Sequence, residues 1–145
     1  MASLARFRMF FGWTMVLLSV AMPLRADKGE SLGVWQGVLP CPDCRGVRLR
    51  LTLRCETETQ TPTCTYSMVE SFLGTRNGEI TNPVDGVWFV DKGRPGDPEA
   101  LIYRLDPEVS DRAKTFVREG DTLRLLDRRR GDLEPKDKYT LRKVR

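Results

Sequence analysis

From Val47 to Cys55 the chain alternates without a break. Val47, Leu49, Leu51, Leu53 and Cys55 fall on one side; Arg48, Arg50, Thr52 and Arg54 fall on the other. Successive side chains of a strand point to opposite faces, so the pattern predicts a strand with one buried face and one basic, solvated face. A helix would scatter the same residues around its axis. Beyond residue 26, no 11-residue window keeps an apolar face at helical spacing without Gly or Pro interrupting it.

The rest of the chain carries the same signature. Cys64, Tyr66, Met68 and Phe72 predict the inward face of an answering strand, with Thr65, Ser67 and Val69 outward. Further strands are predicted at Val34–Leu39, Gly86–Val90, Ala100–Leu105, Thr115–Arg118, Thr122–Leu126 and Lys138–Val144. Turn signals separate them at Asn77-Gly78, Gly93 to Pro98, Asp106-Pro107, Glu119 to Asp121 and Arg130 to Asp132. About eight short antiparallel strands in one all-β domain predict a small lipocalin-like up-and-down β-barrel, because closure removes unpaired edges. A β-sandwich is the alternative. Gly33-x-Trp35 heads the first strand, where a Trp can close one end of a barrel. Trp35, Met68, Phe72, Trp88, Phe89, Tyr103, Leu105, Phe116 and Tyr139 supply enough bulk to predict a filled interior rather than a ligand cavity.

The first 26 residues read differently. Arg6 and Arg8 precede a mostly apolar run from Met9 to Leu24, and Ala26 is a small residue at a cleavage position. This predicts a secretory signal peptide over 1–26 and a single domain over 27–145. No cysteine precedes Cys41, so no lipid anchor is expected. Without Arg6, Arg8 and Arg25 the 24 Lys and Arg fall to 21, against 20 Asp and Glu. A balance of +1 gives no reason to expect a nucleic-acid partner. The basic tail, Arg128-Arg129-Arg130 onward, interleaves with acids and reads as a solvated face.

Export places four cysteines in an oxidising compartment, where they are expected to pair. Cys55 and Cys64 fall at facing positions of one predicted hairpin and read as a structural disulfide. Cys41 and Cys44 lie two residues apart in a turn stiffened by Pro40 and Pro42. A bridge there closes a small ring and is more easily reduced, so this pair reads either as a second structural disulfide at the barrel mouth or as the candidate redox or metal element; four cysteines allow three pairings, of which the local one is the simplest geometrically. Arg45 is placed to favour a thiolate on Cys44. With no histidine in the chain, and Met68 as the methionine left after the leader, the soft ligands for Cu(I) are reduced Cys41 and Cys44, with Asp43 nearby. No cofactor is otherwise required. A four-cysteine zinc site lacks its second close-spaced pair.

Several spaced pieces together resemble a known family. They are Trp35-Gln36-Gly37-x-Leu39-Pro40-Cys41-x-Asp43-Cys44-x-Gly46-Val47, then Leu49-x-Leu51-x-Leu53 and Gly86-x-Trp88. Leu123-x-Leu125-Leu126-Asp127 with Gly131 follows, and then Tyr139-x-Leu141. In this order they are similar to the N-terminal domain of the NlpE copper-resistance and envelope-stress lipoproteins. The resemblance implies a lipocalin-like barrel in the Gram-negative envelope, tied to copper tolerance and to stress signalling through a sensor kinase. The chain departs from that pattern in having no lipidated N-terminal cysteine, no second domain after the barrel, and the extra pair Cys55 and Cys64.

The expected function is therefore a non-enzymatic periplasmic binding or sensor module, monomeric, with an envelope protein or sensor as partner. The Cys41–Cys44 loop is its redox- or metal-responsive element. A disulfide-stabilised carrier of a small ligand is the alternative. A thiol–disulfide oxidoreductase is the remaining one, opposed by the strand, not helix, that follows Cys44.

Overall fold

The structure, a computed structural model, describes residues 30–57 and 60–145. The expected leader over 1–26 lies outside the described residues. Eight antiparallel strands run β1 (Glu30–Leu39), β2 (Gly46–Glu56), β3 (Thr63–Thr75), β4 (Gly78–Arg94), β5 (Asp97–Leu105), β6 (Lys114–Glu119), β7 (Thr122–Leu125) and β8 (Thr140–Lys143). Each pairs with the next, and β1 also pairs with β8, which closes the barrel.

The alternation places the core as the sequence predicts. Leu49, Leu51 and Leu53 are fully buried on β2, and across the β2–β3 register Leu51 faces Met68 while Leu53 faces Tyr66. Trp35, Trp88, Tyr103, Leu105, Phe116, Leu123 and Leu141 complete one interior cluster. Trp35 is buried, with the Lys143 ammonium 5.5 Å over its ring. The Trp88 and Tyr103 rings meet at 4.9 Å between centroids, and Trp88 Nε1 donates to the Arg54 carbonyl at 3.1 Å. Each CH₂ buried this way contributes about 0.8 kcal/mol, and the Trp88 hydrogen bond keeps the indole from costing what it gains.

Four features differ from the sequence reading. First, β4 is 17 residues long instead of the predicted Gly86–Val90. Its first half, Gly78 to Asp85, is polar, exposed and interrupted by Pro83, which is why it reads as a loop; pairing with β3 makes it a strand. Second, Phe89 is 52% exposed on the outer wall and is not a core residue. Third, Lys136–Tyr139 forms a 3-10 turn, so β8 starts at Thr140 and Tyr139 is only half-buried.

Fourth, the barrel has a second small core on its outer wall. Ala100, Ile102, Val117 and Leu126 cluster there. Leu126 bridges to Asp132, and the residues between form a turn in which Asp127 Oδ1 accepts from the N–H groups of Arg129 and Gly131, both at 2.8 Å. This segment is held down by Asp132. Arg94 donates to both Asp132 oxygens at 2.8 Å, Arg124 to Oδ1 at 3.1 Å, and Lys136 Nζ lies 3.1 Å from Oδ2. Arg130 is not simply solvated either: it pairs with Asp91 and donates to the Gly93 carbonyl at 2.7 Å.

Candidate functional site

The four cysteines form two local bridges, Cys41–Cys44 and Cys55–Cys64, and no free cysteine remains among the described residues. They are built differently. Cys55 and Cys64 sit opposite each other in the β2–β3 ladder with Cα atoms 4.1 Å apart, and both pack against the main core. This bridge is a rivet in the barrel wall.

Cys41 and Cys44 lie on the connection between β1 and β2, with Cα atoms 5.3 Å apart. Pro40, Pro42, Asp43 and Arg45 around them are exposed and the two cysteines half-buried. No regular element includes either cysteine, and a strand follows at Gly46. Cys44 Sγ lies 3.3 Å from the Gly46 carbonyl oxygen, a partner to which a thiol would donate after reduction.

Arg45 has a different task from the one its sequence position implies. Its N–H donates to the Leu73 carbonyl at 2.9 Å, and its side chain lies over Gly74. A Cβ on Gly74 would come within 2.6 Å of Arg45 Nε and push that side chain aside, and φ +66° is a conformation that favours glycine. The loop is thereby docked on the end of the β3–β4 hairpin.

The two bridges lie at opposite ends of β2, whose length is on the order of 30 Å. They cannot join in one four-sulfur site. Among the described residues no cluster of three or more His, Cys, Asp or Glu is arranged to hold a metal ion.

A second polar group escaped sequence reasoning. Asp106, read there as a turn residue, is 4% exposed. It accepts from Tyr66 Oη at 2.8 Å and from the Val87 N–H at 3.0 Å, with Arg112 at 3.3 Å. Burial is the main reason the Tyr66 phenol is pushed well above its usual value; the hydrogen bond to Asp106 adds to it. The cluster anchors the β5–β6 connection. A Gly next to a core Trp, Gly86-Val87-Trp88, was its one sequence trace: a Cβ on Gly86 would collide with the Asp106 carboxylate.

Fold and site together define a class: a small closed barrel with one disulfide on an end loop and a second disulfide built into its wall. The chain belongs to the NlpE N-terminal domain family, whose profile matches residues 35–136. It is similar to Lipoprotein NlpE of Escherichia coli (strain K12), with 33% identity over 107 residues, 74% of this chain and 39% of that protein. The chain thus spans well under half the length of that relative. No solved structure matches it.

Proposed function

We propose that this chain is a non-enzymatic periplasmic binding and sensing module of the NlpE kind, linked to copper tolerance or envelope-stress signalling. Its responsive element is the Cys41–Cys44 loop. One observation carries the reading: this bridge closes a small exposed loop outside every strand, whereas Cys55–Cys64 is locked between two paired strands against the core. Opening the first frees a loop; opening the second loosens the barrel wall. By loop-closure entropy the small ring contributes about 2 kcal/mol and the longer Cys55–Cys64 loop about 2.7 kcal/mol.

Reduction consumes two electrons and two protons from a dithiol donor, which leaves as its own disulfide, and yields thiols at Cys41 and Cys44. Those thiols are also the soft pair that Cu(I) would take. The absence of a helix N-terminus at Cys44 supports a sensor over an oxidoreductase, which needs a stabilised thiolate.

The test is a stress-reporter assay in a Gram-negative periplasm challenged with copper or dithiothreitol. Cys41→Ser and Cys44→Ser are expected to abolish the change in reporter output while the protein accumulates normally. A response unchanged in both variants would remove the loop from the mechanism. In vitro, the reduced chain is expected to bind one equivalent of Cu(I) and the Cys41→Ser variant none.

A further inference from the structure

The first half of β4 has a partner on one side only. Its register with β3 is continuous from Ile80, opposite Phe72, to Val87, opposite Thr65. On the other side β5 pairs with β4 only from Trp88 to Arg94 among the described residues. Between Gly78 and Asp85 no strand among the described residues pairs with this outer edge.

The direction of its backbone groups follows from Val87. The Val87 N–H donates to Asp106 Oδ1 and its carbonyl accepts from the Asp106 N–H at 2.9 Å, both away from β3. In a strand the two polar groups of one residue share a side and alternate along the chain. Asp85, Pro83 and Thr81 thus also direct theirs to the open edge. Pro83 fits this placement, because a proline is tolerated in a strand where its missing N–H faces out. Asp106 already occupies one position of this edge as an added strand would, with one acceptor and one donor for one residue of β4.

The edge also selects its occupant. Two copies pairing antiparallel about Asn82 would set Glu79 against Asp85 twice and Thr81 against Pro83 twice. Like charges directly opposite destabilise a pair, and each Pro83 removes a donor. Self-association is disfavoured; a basic strand is not. Glu79 already lies 3.5 Å from Arg48, so Asp85 carries the charge preference. On the inner face of the same stretch Ile80 is 47% exposed and Val84 packs against the core, so alternate residues of an added strand meet apolar side chains. We infer that the open edge of β4 from Glu79 to Asp85 takes, by strand addition, an extended partner segment that alternates basic and apolar residues.

The inference rests on the proposed binding role, not on the redox state of the loop, and is tested on the oxidised full chain. The probes are peptides of about eight residues, a usual strand length, repeating Lys-Val or Glu-Val. The readouts are calorimetric affinity and amide hydrogen exchange. The Lys-Val peptide is expected to bind and to slow exchange at the Thr81 and Asp85 amides, with the Glu-Val peptide about tenfold weaker. Asp85→Lys is expected to reverse that preference. Thr81→Pro, which removes one outward donor, is expected to weaken binding about threefold to tenfold.

No binding, equal affinity for both peptides, or protection elsewhere would overturn the inference. So would protection of these amides in the free chain, whether by a second copy or by residues 1–29. Because none of these readouts involves the sulfurs, failure here leaves the redox reading standing, and failure of the reporter assay leaves this one standing.

Discussion

At Asp106 a single buried carboxylate joins three parts of the barrel: Tyr66 on β3, Val87 on β4 and Arg112 on the following loop. Its backbone is at φ +41°, a region an Asp tolerates better than most residues. Asp106→Ala would leave the buried Tyr66 hydroxyl without its acceptor, while the N–H of Val87, a residue 42% exposed, can turn to water. We predict a loss of roughly 1–3 kcal/mol, the desolvation penalty of one buried group, measured by urea denaturation. The Tyr66 phenol adds an alkaline signature. Its folded value is raised above the usual tyrosine value of about 10, so its contribution is complete below that pH and is lost as pH rises through the folded value. Absorbance titration against Tyr66→Phe checks this; ionisation near the usual value would contradict it. None of this is legible in Asp106-Pro107, which carries a turn signal and nothing more. A charge in a turn is ordinarily solvated, and only the close approach at Gly86 buries this one.

The strands divide by how much of their environment is local. β2 was readable residue by residue, because one apolar face against one basic face is all that a half-buried wall strand needs. β4 was readable only where Trp88 anchors it, since Glu79 to Asp85 becomes a strand by pairing with β3 and not by its own propensity. The outer-wall segment is the extreme case. Its arginines and aspartates look like a solvated tail, yet Asp132, Arg94 and Arg124 side chains are only 16%, 15% and 11% exposed. The hydrogen bonds from Arg94, and after them the Lys136 and Arg124 cations, hold the Asp132 carboxyl well below the usual carboxylate range. With its folded value depressed, Asp132 contributes fully above the unfolded value of about 4, and the contribution is lost as pH falls through the folded value. Asp132→Ala, which takes the carboxylate from Arg94 while Arg124 keeps its pair with Glu119, is expected to cost about 2 kcal/mol at neutral pH and less in acid. Denaturation midpoints at several pH values check it; a pH-independent difference would contradict it.

For the molecule as a whole, the covalent chemistry was the most legible part and its docking the least. Cysteine spacing, together with the predicted hairpin, made the two local bridges the simplest of the three pairings that four cysteines allow. That Arg45 ties the first bridge to the β3–β4 hairpin depends on Leu73 and Gly74, some thirty residues away in the chain, and no local pattern announces it. The resulting molecule keeps a wall disulfide at one end of β2 and a loop disulfide at the other. If the loop bridge is the responsive element, the two must separate in redox behaviour. The decisive measurement equilibrates the folded chain in graded thiol–disulfide buffers, traps each pair by differential alkylation, and follows the fold by circular dichroism. Cys41–Cys44 is expected to open at a less reducing potential than Cys55–Cys64, with the β-sheet spectrum unchanged across that first step. Reduction of both pairs together, or of Cys55–Cys64 first, would contradict the assignment.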